Sequence, residues 1–216
     1  MAANEDKPQF PRLLLCEGPE DQAFFGRLIA NRNLPGFHIW NAGGNRNFLG
    51  ALRAFEIERP RTLRQCSRIL VVGDNDESPV GNFNSVREQL DKYFGAGRSP
   101  QTKRSRTTGN PSLAILMIPW DDRHGHLESL CVEAAHWADR TIGSETDHFM
   151  ARLLADRWSE SRRGKAWLRS NLAARCQSDP FIPLGRSFND ALHHRLIPTE
   201  HASFKQIADF LVSFAS

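Results

Sequence analysis

Between Leu13 and Ile118 the chain alternates short, wholly apolar runs with longer segments whose apolar residues recur at helical spacing. Leu13-Leu14-Leu15-Cys16, Phe37 to Trp40, Ile69-Leu70-Val71-Val72 and Leu113 to Ile118 have the pattern of strands buried on both faces. Helices are predicted between them. Glu20 to Asn33 carries Ala23, Phe24, Leu28 and Ile29 near helical spacing, and Leu34-Pro35-Gly36 stops it. A second helix opens at Gly43-Gly44 and bears Phe48, Leu49, Leu52 and Phe55. A third runs from Asn84 to Phe94. Strands alternating with helices imply an α/β fold with a parallel sheet of about four strands and right-handed crossovers. Residues 95–111 show glycine, proline and basic residues without periodicity, the pattern of a long mobile loop.

From Leu127 onward the strand pattern is gone. Residues 127–138, 147–158, 165–174, 188–196 and 204–214 all read as helices. The expected organisation is an α/β core over 12–125 and a helical C-terminal part, 126–216, packed on the same domain.

Composition narrows the classes. At 216 residues the chain suits one domain, and its net charge of +3 is too small to declare a nucleic-acid binder. The charge is nevertheless segregated, with acids in short clusters and basic residues crowding Arg53 to Arg68 and Lys103 to Arg106. The four cysteines (Cys16, Cys66, Cys131 and Cys176) form no C-x-x-C pair, which argues against a zinc ribbon or a disulfide framework. No apolar run approaches the ~20 residues that span a bilayer. The polar first ten residues lack a signal-peptide core, so no membrane association and a cytoplasmic location are expected.

The candidate chemistry lies where strands end. In open parallel sheets, ligands collect beyond the carboxyl ends of the strands. Glu17 follows the first strand, Asp74 and Asp76 the third, and Asp121 and Asp122 the fourth. Asp74 and Asp76 are two apart, so extended backbone would project both carboxylates to one side. Converging carboxylates repel unless a cation sits among them, and Mg²⁺, an oxygen-liking ion that keeps its waters, is the natural choice. Each acid alone is more often a helix cap or turn residue, and Asp-Asn-Asp before Ser-Pro is good turn chemistry. Turn chemistry gives no reason, however, for matching acids after the first and third strands.

At these residues the sequence resembles the Toprim superfamily. Leu13 to Asp21 is similar to its first motif, an apolar strand ending in E-G-x-x-D, and Val71 to Asp76 to its second, an apolar strand ending in D-x-D. The resemblance covers about residues 12–130. It implies a Rossmann-like Toprim core, with Glu17 as general acid or base and as a metal-site acid. Asp74 and Asp76 would be Mg²⁺ ligands, Mn²⁺ serving in its place, and Asp21 an accessory acid. Gly125-His126-Leu127-Glu128 resembles the G-x-L-E element of small stand-alone Toprim-like proteins related to OLD-family nucleases, as do Lys165-Ala166-Trp167 and the closing Phe210 to Phe214. Glu128 would then join the metal site; the plainer reading makes it a solvated residue in the first turn of a helix.

Other residues carry less. Gly43-Gly44-Asn45 could offer backbone N–H groups to a phosphate, although a glycine pair is more often a simple tight turn. His124 and His126 stand at metal-ligand spacing beside acids, but a flexible, solvent-facing pair is the expected case. Lys103, Arg104 and Arg106 could touch a nucleic-acid backbone, though most such runs are merely solvated. The only tyrosine, Tyr93, lies inside a helix beside Phe94, which disfavours a topoisomerase, and no zinc module supports a primase. A phosphoacceptor receiver domain would want an acid pair after the first strand and one aspartate after the third, which the D-x-D fits poorly, and no Lys follows a fifth strand. The leading expectation is a Mg²⁺-dependent, nuclease-like phosphodiester hydrolase acting on DNA or RNA. The alternative is a nucleic-acid or nucleotide binding module that keeps the metal site without turnover.

Overall fold

The computed structural model describes residues 10–120, 123–188 and 196–216. Four strands, β1 (Arg12–Cys16), β2 (His38–Asn41), β3 (Arg68–Asp74) and β4 (Ser112–Ile118), form one parallel sheet in the order β2-β1-β3-β4. Leu14 of β1 stands opposite Ile39 of β2 and Leu70 of β3, and Leu70 in turn opposite Ala114 of β4. The α/β class read from the pattern is therefore the observed one.

Alternation within each strand sends side chains to two separate cores. Leu14, Cys16, Leu70, Val72, Ala114 and Leu116 face one, and Leu13, Leu15, Ile69, Val71, Leu113 and Ile115 face the other. The second core is closed by α2 (Phe48–Glu58) and α4 (Pro79–Phe94), through Phe48, Leu52, Phe55, Phe83, Val86 and Leu90. The first is closed by α1 (Pro19–Asn31) together with helices from the C-terminal half, α5 (Leu127–Ala138), α6 (Arg140–Arg152), α7 (Glu160–Arg175) and α9 (Lys205–Ala215). Two short helices complete the chain, α3 (Pro60–Gln65) and α8 (Leu184–Ser187). Cys16 and Cys131 behave as small core residues, and all four thiols are free and buried.

Several boundaries differ from the pattern. α4 begins five residues before Asn84, because Pro79 occupies its first turn, where a missing N–H costs nothing. α6 begins at Arg140 rather than Asp147, since Asp139 accepts a hydrogen bond from the Ile142 N–H and caps it. It ends short of Trp158, where Leu154 takes left-handed backbone and a 3₁₀ turn spans Ala155–Arg157. α7 starts early for a similar reason, with Ser159 Oγ accepting from the Arg162 N–H. Of the helix expected over 188–196, residues 189–195 lie outside the described residues. The 95–111 segment is hydrogen-bonded rather than loose: the Arg104 and Thr107 N–H groups donate to Ile115 and Leu113, covering the outer edge of β4.

The amino edge of the sheet is basic and tied down. Arg12 and Arg68 both donate to the Ala215 carbonyl at the end of α9, satisfying a helix terminus with positive charge. On the α1 side the packing centres on Phe24, fully buried, with its ring 5.1 Å from Phe25, 5.3 Å from Phe188 and 5.0 Å from Phe204. This cluster joins α1 to the C-terminal half. Phe24→Ala should cost about 3–5 kcal/mol in stability, read as a lowered midpoint in urea unfolding.

Candidate active site

The acids lie at the opposite, carboxyl edge. Glu17 follows β1 directly, and its Oε1 accepts a 2.8 Å hydrogen bond from the backbone N–H of Asp74 at the end of β3. The two neighbouring strands are thus joined at the first polar residue beyond the core. Asp74 in turn accepts at Oδ1 from the Leu127 N–H, 3.2 Å away, at the start of α5. A carboxylate there is favoured by the positive end of the helix.

Asp21, in the first turn of α1, reaches back to the Gly18 N–H at 2.8 Å. It caps the helix, since glycine at Gly18 has no side chain to do so. Glu128 projects from the first turn of α5 and is only 15% exposed, so it is not a solvated residue. Lys165, from α7, brings its Nζ within 3.8 Å of Glu128 Oε1.

Asp76 is placed differently from the strand argument. The chain leaves the sheet after Asp74, and Asp76 sits in left-handed backbone (φ 46°), which an aspartate tolerates better than most residues. Its N–H and C=O pair with Gly125, and its carboxylate takes an Asn82 side-chain hydrogen bond at 3.3 Å. Between the two aspartates, fully buried Asn75 donates to the Pro119 and Arg123 carbonyls at 2.7 and 2.9 Å. The D-x-D segment therefore clamps the chain that follows β4. Asp121 and Asp122, within that stretch, fall outside the described residues.

Glu17, Asp21, Asp74, Glu128 and Lys165 line a cleft of about 600 Å³, together with Gly43 and Gly44. The Gly44 N–H donates to the Glu17 carbonyl, and both glycines take positive φ, which fits them to this turn. Burial and mutual repulsion dominate the electrostatics. Glu17 is raised to about 7 by desolvation and by Asp21 and Asp76, against the opposing Asp74 N–H and Lys165. Asp21 is raised to about 6, by desolvation and then by Glu128 and Glu20. Asp74 is pushed well above the carboxylate range by desolvation and by Glu17, Asp21, Glu128 and Asp76. Glu128 moves the other way: burial raises it, but His126 and Lys165 outweigh that.

His126 corrects the expectation of a solvent-facing pair. It stands at the N-cap position of α5, fully buried, with Nδ1 3.0 Å from Glu128 Oε2. His124 is exposed, 3.8 Å from Glu77. In the basic loop, Arg104 stacks its guanidinium over Trp120 (5.0 Å) and donates to the Trp120 carbonyl, while Arg106 is bridged to Ala114 on the edge of β4.

Among the described residues, no three acidic, histidine or cysteine side chains are grouped closely enough to hold one metal ion between them. The donor set suits a hydrated ion better. Mg²⁺ is commonly bound by one or two carboxylates and retains several waters. Glu17, Asp21 and Asp74 each have one oxygen engaged by a backbone N–H and the other without a hydrogen-bond partner among the described residues. Lys165 is the one cation among the residues that line the cleft. Sequence reasoning noted Lys165 only within Lys165-Ala166-Trp167, without assigning it a role, and gave little weight to Gly43-Gly44; Lys165 lies 148 positions from Glu17, so no local pattern places it in the cleft.

Fold and cleft together define an α/β protein with an acidic cleft at the carboxyl edge of a parallel sheet. The chain matches, over residues 11–216, the family described as Protein of unknown function (DUF3226), and it belongs to that family. No curated protein and no solved structure matches it. No helix among the described residues is long and apolar enough to cross a membrane.

The raised carboxyls have a consequence for stability. The folded state retains protons that the unfolded chain releases near the ordinary values of 3.8 and 4.5, so rising pH favours unfolding. In chelator, Tm should therefore fall as pH climbs from about 4 to 7. Asp74→Asn, which keeps the acceptor for the Leu127 N–H, should flatten that decline in a pH series of thermal melts.

Proposed function

We propose that the protein is a nuclease-like phosphodiester hydrolase acting on DNA or RNA, dependent on Mg²⁺ with Mn²⁺ as a substitute. One observation carries the reading. A partly buried glutamate raised to about 7 is fixed by a backbone hydrogen bond beside Asp74, at the carboxyl edge of a parallel sheet, in a cleft that also holds Lys165. The ordered pair of Toprim-like motifs on β1 and β3 supports it. When bound, Mg²⁺ would neutralise charge on the scissile phosphate and lower the pKa of a water.

The chain's own residues supply the rest. Glu17 and Asp74 are the acids that would hold the ion directly, with Asp21, Asp76 and Glu128 reached through the waters it retains. Glu17 can take or give a proton at its free Oε2, and a group poised near 7 is suited to both directions. Lys165 offers positive charge to a phosphate oxygen. Asn75 and the Glu17–Asp74 hydrogen bond keep the acids in place without substrate. Lys103, Arg104 and Arg106 are proposed contacts to the nucleic-acid backbone, Arg104 with its guanidinium already held on Trp120. The setting is taken to be cytoplasmic, in keeping with four free thiols.

The binding-module alternative draws on a specific observation too. Glu17, Asp21 and Asp74 each already serve a backbone donor, a structural duty that survives without turnover.

Two measurements decide. Mg²⁺ or Mn²⁺ should raise Tm by binding the folded state, and Asp74→Asn combined with Asp76→Asn should abolish the increase; an unchanged response would put the ion elsewhere. Glu17→Gln should lower cleavage of plasmid, single-stranded DNA or structured RNA by about 10²–10⁴-fold while binding persists. A wild type that binds but cuts nothing with either metal would favour the binding module.

A further inference from the structure

A second cavity, of about 220 Å³, also has Glu17 and Asp74 in its walls, and it opens in another direction. The larger cleft runs over Leu127 and Leu184, which belong to the core shared with α1, α5 and α7. The smaller one runs over Val86 and Met117, which belong to the core shared with α2 and α4. These are the two opposite faces of the sheet. The cavities therefore meet at its carboxyl edge, with Glu17 and Asp74 standing between them.

Each cavity has one cation. In the larger it is Lys165. In the smaller it is Arg46, exposed and with no hydrogen bond or ion pair among the described residues. The same short loop serves both: Gly43 and Gly44 line one cavity, Asn45 and Arg46 the other. That loop is fixed at both ends of the crossing, by Gly44 N–H on the Glu17 carbonyl (2.8 Å) and by Gln89 Nε2 on the Asn45 carbonyl (2.9 Å). Arg46 is thus an exposed side chain on an anchored backbone. Asn82 and Ser85, on the first turns of α4, add polar groups to its cavity.

Resting on the nuclease-like reading, we infer that the substrate is an internal stretch of a nucleic-acid strand laid across the carboxyl edge of the sheet, with Lys165 holding a phosphate on one side of Glu17 and Asp74 and Arg46 a phosphate on the other. A phosphate at a chain end, or a mononucleotide, would need only one of the two cavities. A strand running through both matches two cations flanking one acidic centre. Arg46 is then a residue that selects for chain on the far side of the scissile bond, and it takes no part in proton transfer.

The test compares a circular single-stranded DNA with a linear one of the same sequence, in Mg²⁺ and Mn²⁺. The circle should be cut about as fast as the linear strand. Arg46→Ala should raise KM for either by roughly 3–10-fold, leave kcat within about twofold, and reduce the salt slope of binding by nearly one phosphate contact, ~0.7 for a single strand. Arg46→Lys should restore most of the loss. Since Arg46 is exposed and has no partner among the described residues, its variants should melt with the wild type, which separates a binding effect from misfolding. Linear strands degraded from an end while circles stay intact would overturn the inference and leave the nuclease reading standing. So would an Arg46→Ala protein with unchanged KM and salt slope. If the wild type neither binds nor cuts any nucleic acid, the nuclease reading fails and this inference falls with it.

Discussion

A parallel sheet covered on both faces leaves its strands nowhere to put a charge except at their ends, and most of this molecule's organisation follows from that restriction. β1, β3 and β4 are almost wholly apolar because each residue faces one core or the other. Polar chemistry is displaced to the two edges, and the edges take opposite signs. At the amino edge, Arg12 and Arg68 satisfy the terminal carbonyl of α9. At the carboxyl edge, Glu17 and Asp74 emerge from adjacent strands, beside the amino ends of α1 and α5.

The acidic edge is costly to maintain. Desolvated carboxylates that face one another are held out of their ordinary titration range, and a protein that needed only helix caps would gain by replacing some of them. The structure spreads the cost over local donors instead. Asp74 N–H holds Glu17, Leu127 N–H holds Asp74, and Gly18 N–H holds Asp21. Lys165 supplies one compensating charge. What is left is a set of carboxylates oriented in advance and under-neutralised, an arrangement that favours a cation and, next to it, the phosphates a cation attracts.

The rigidity of that edge comes from the segment between the two aspartates. Buried Asn75 grips the chain after β4 at Pro119 and Arg123, Asp76 pairs with Gly125, and Asn82 from α4 bonds the Asp74 and Asn75 carbonyls. The end of β3, the chain after β4 and the start of α4 are thereby held together beside Glu17. The short loop after β2 is tied to the same point through Gly44, so both cavities share one fixed frame.

The strands, their parallel arrangement and the standing of Glu17 and Asp74 at strand ends were all legible in the amino-acid order. Burial on both faces writes an uninterrupted apolar run, and an acid just beyond such a run has to lie at the edge. α5 was legible for the same local reason, its apolar stripe beginning at Leu127. Asp76 was only half legible, because spacing of two implies a shared side in extended backbone, and the left-handed turn at Asp76 ends that geometry. The starts of α4, α6 and α7 were missed where a proline or a capping side chain, rather than an apolar stripe, decides the first turn. Motifs drew attention to Gly44, His126 and Lys165, and nothing drew attention to Arg46, but the placing of all four belongs to tertiary structure alone. It is set by how α5 and α7 pack on one face of the sheet and α2 and α4 on the other.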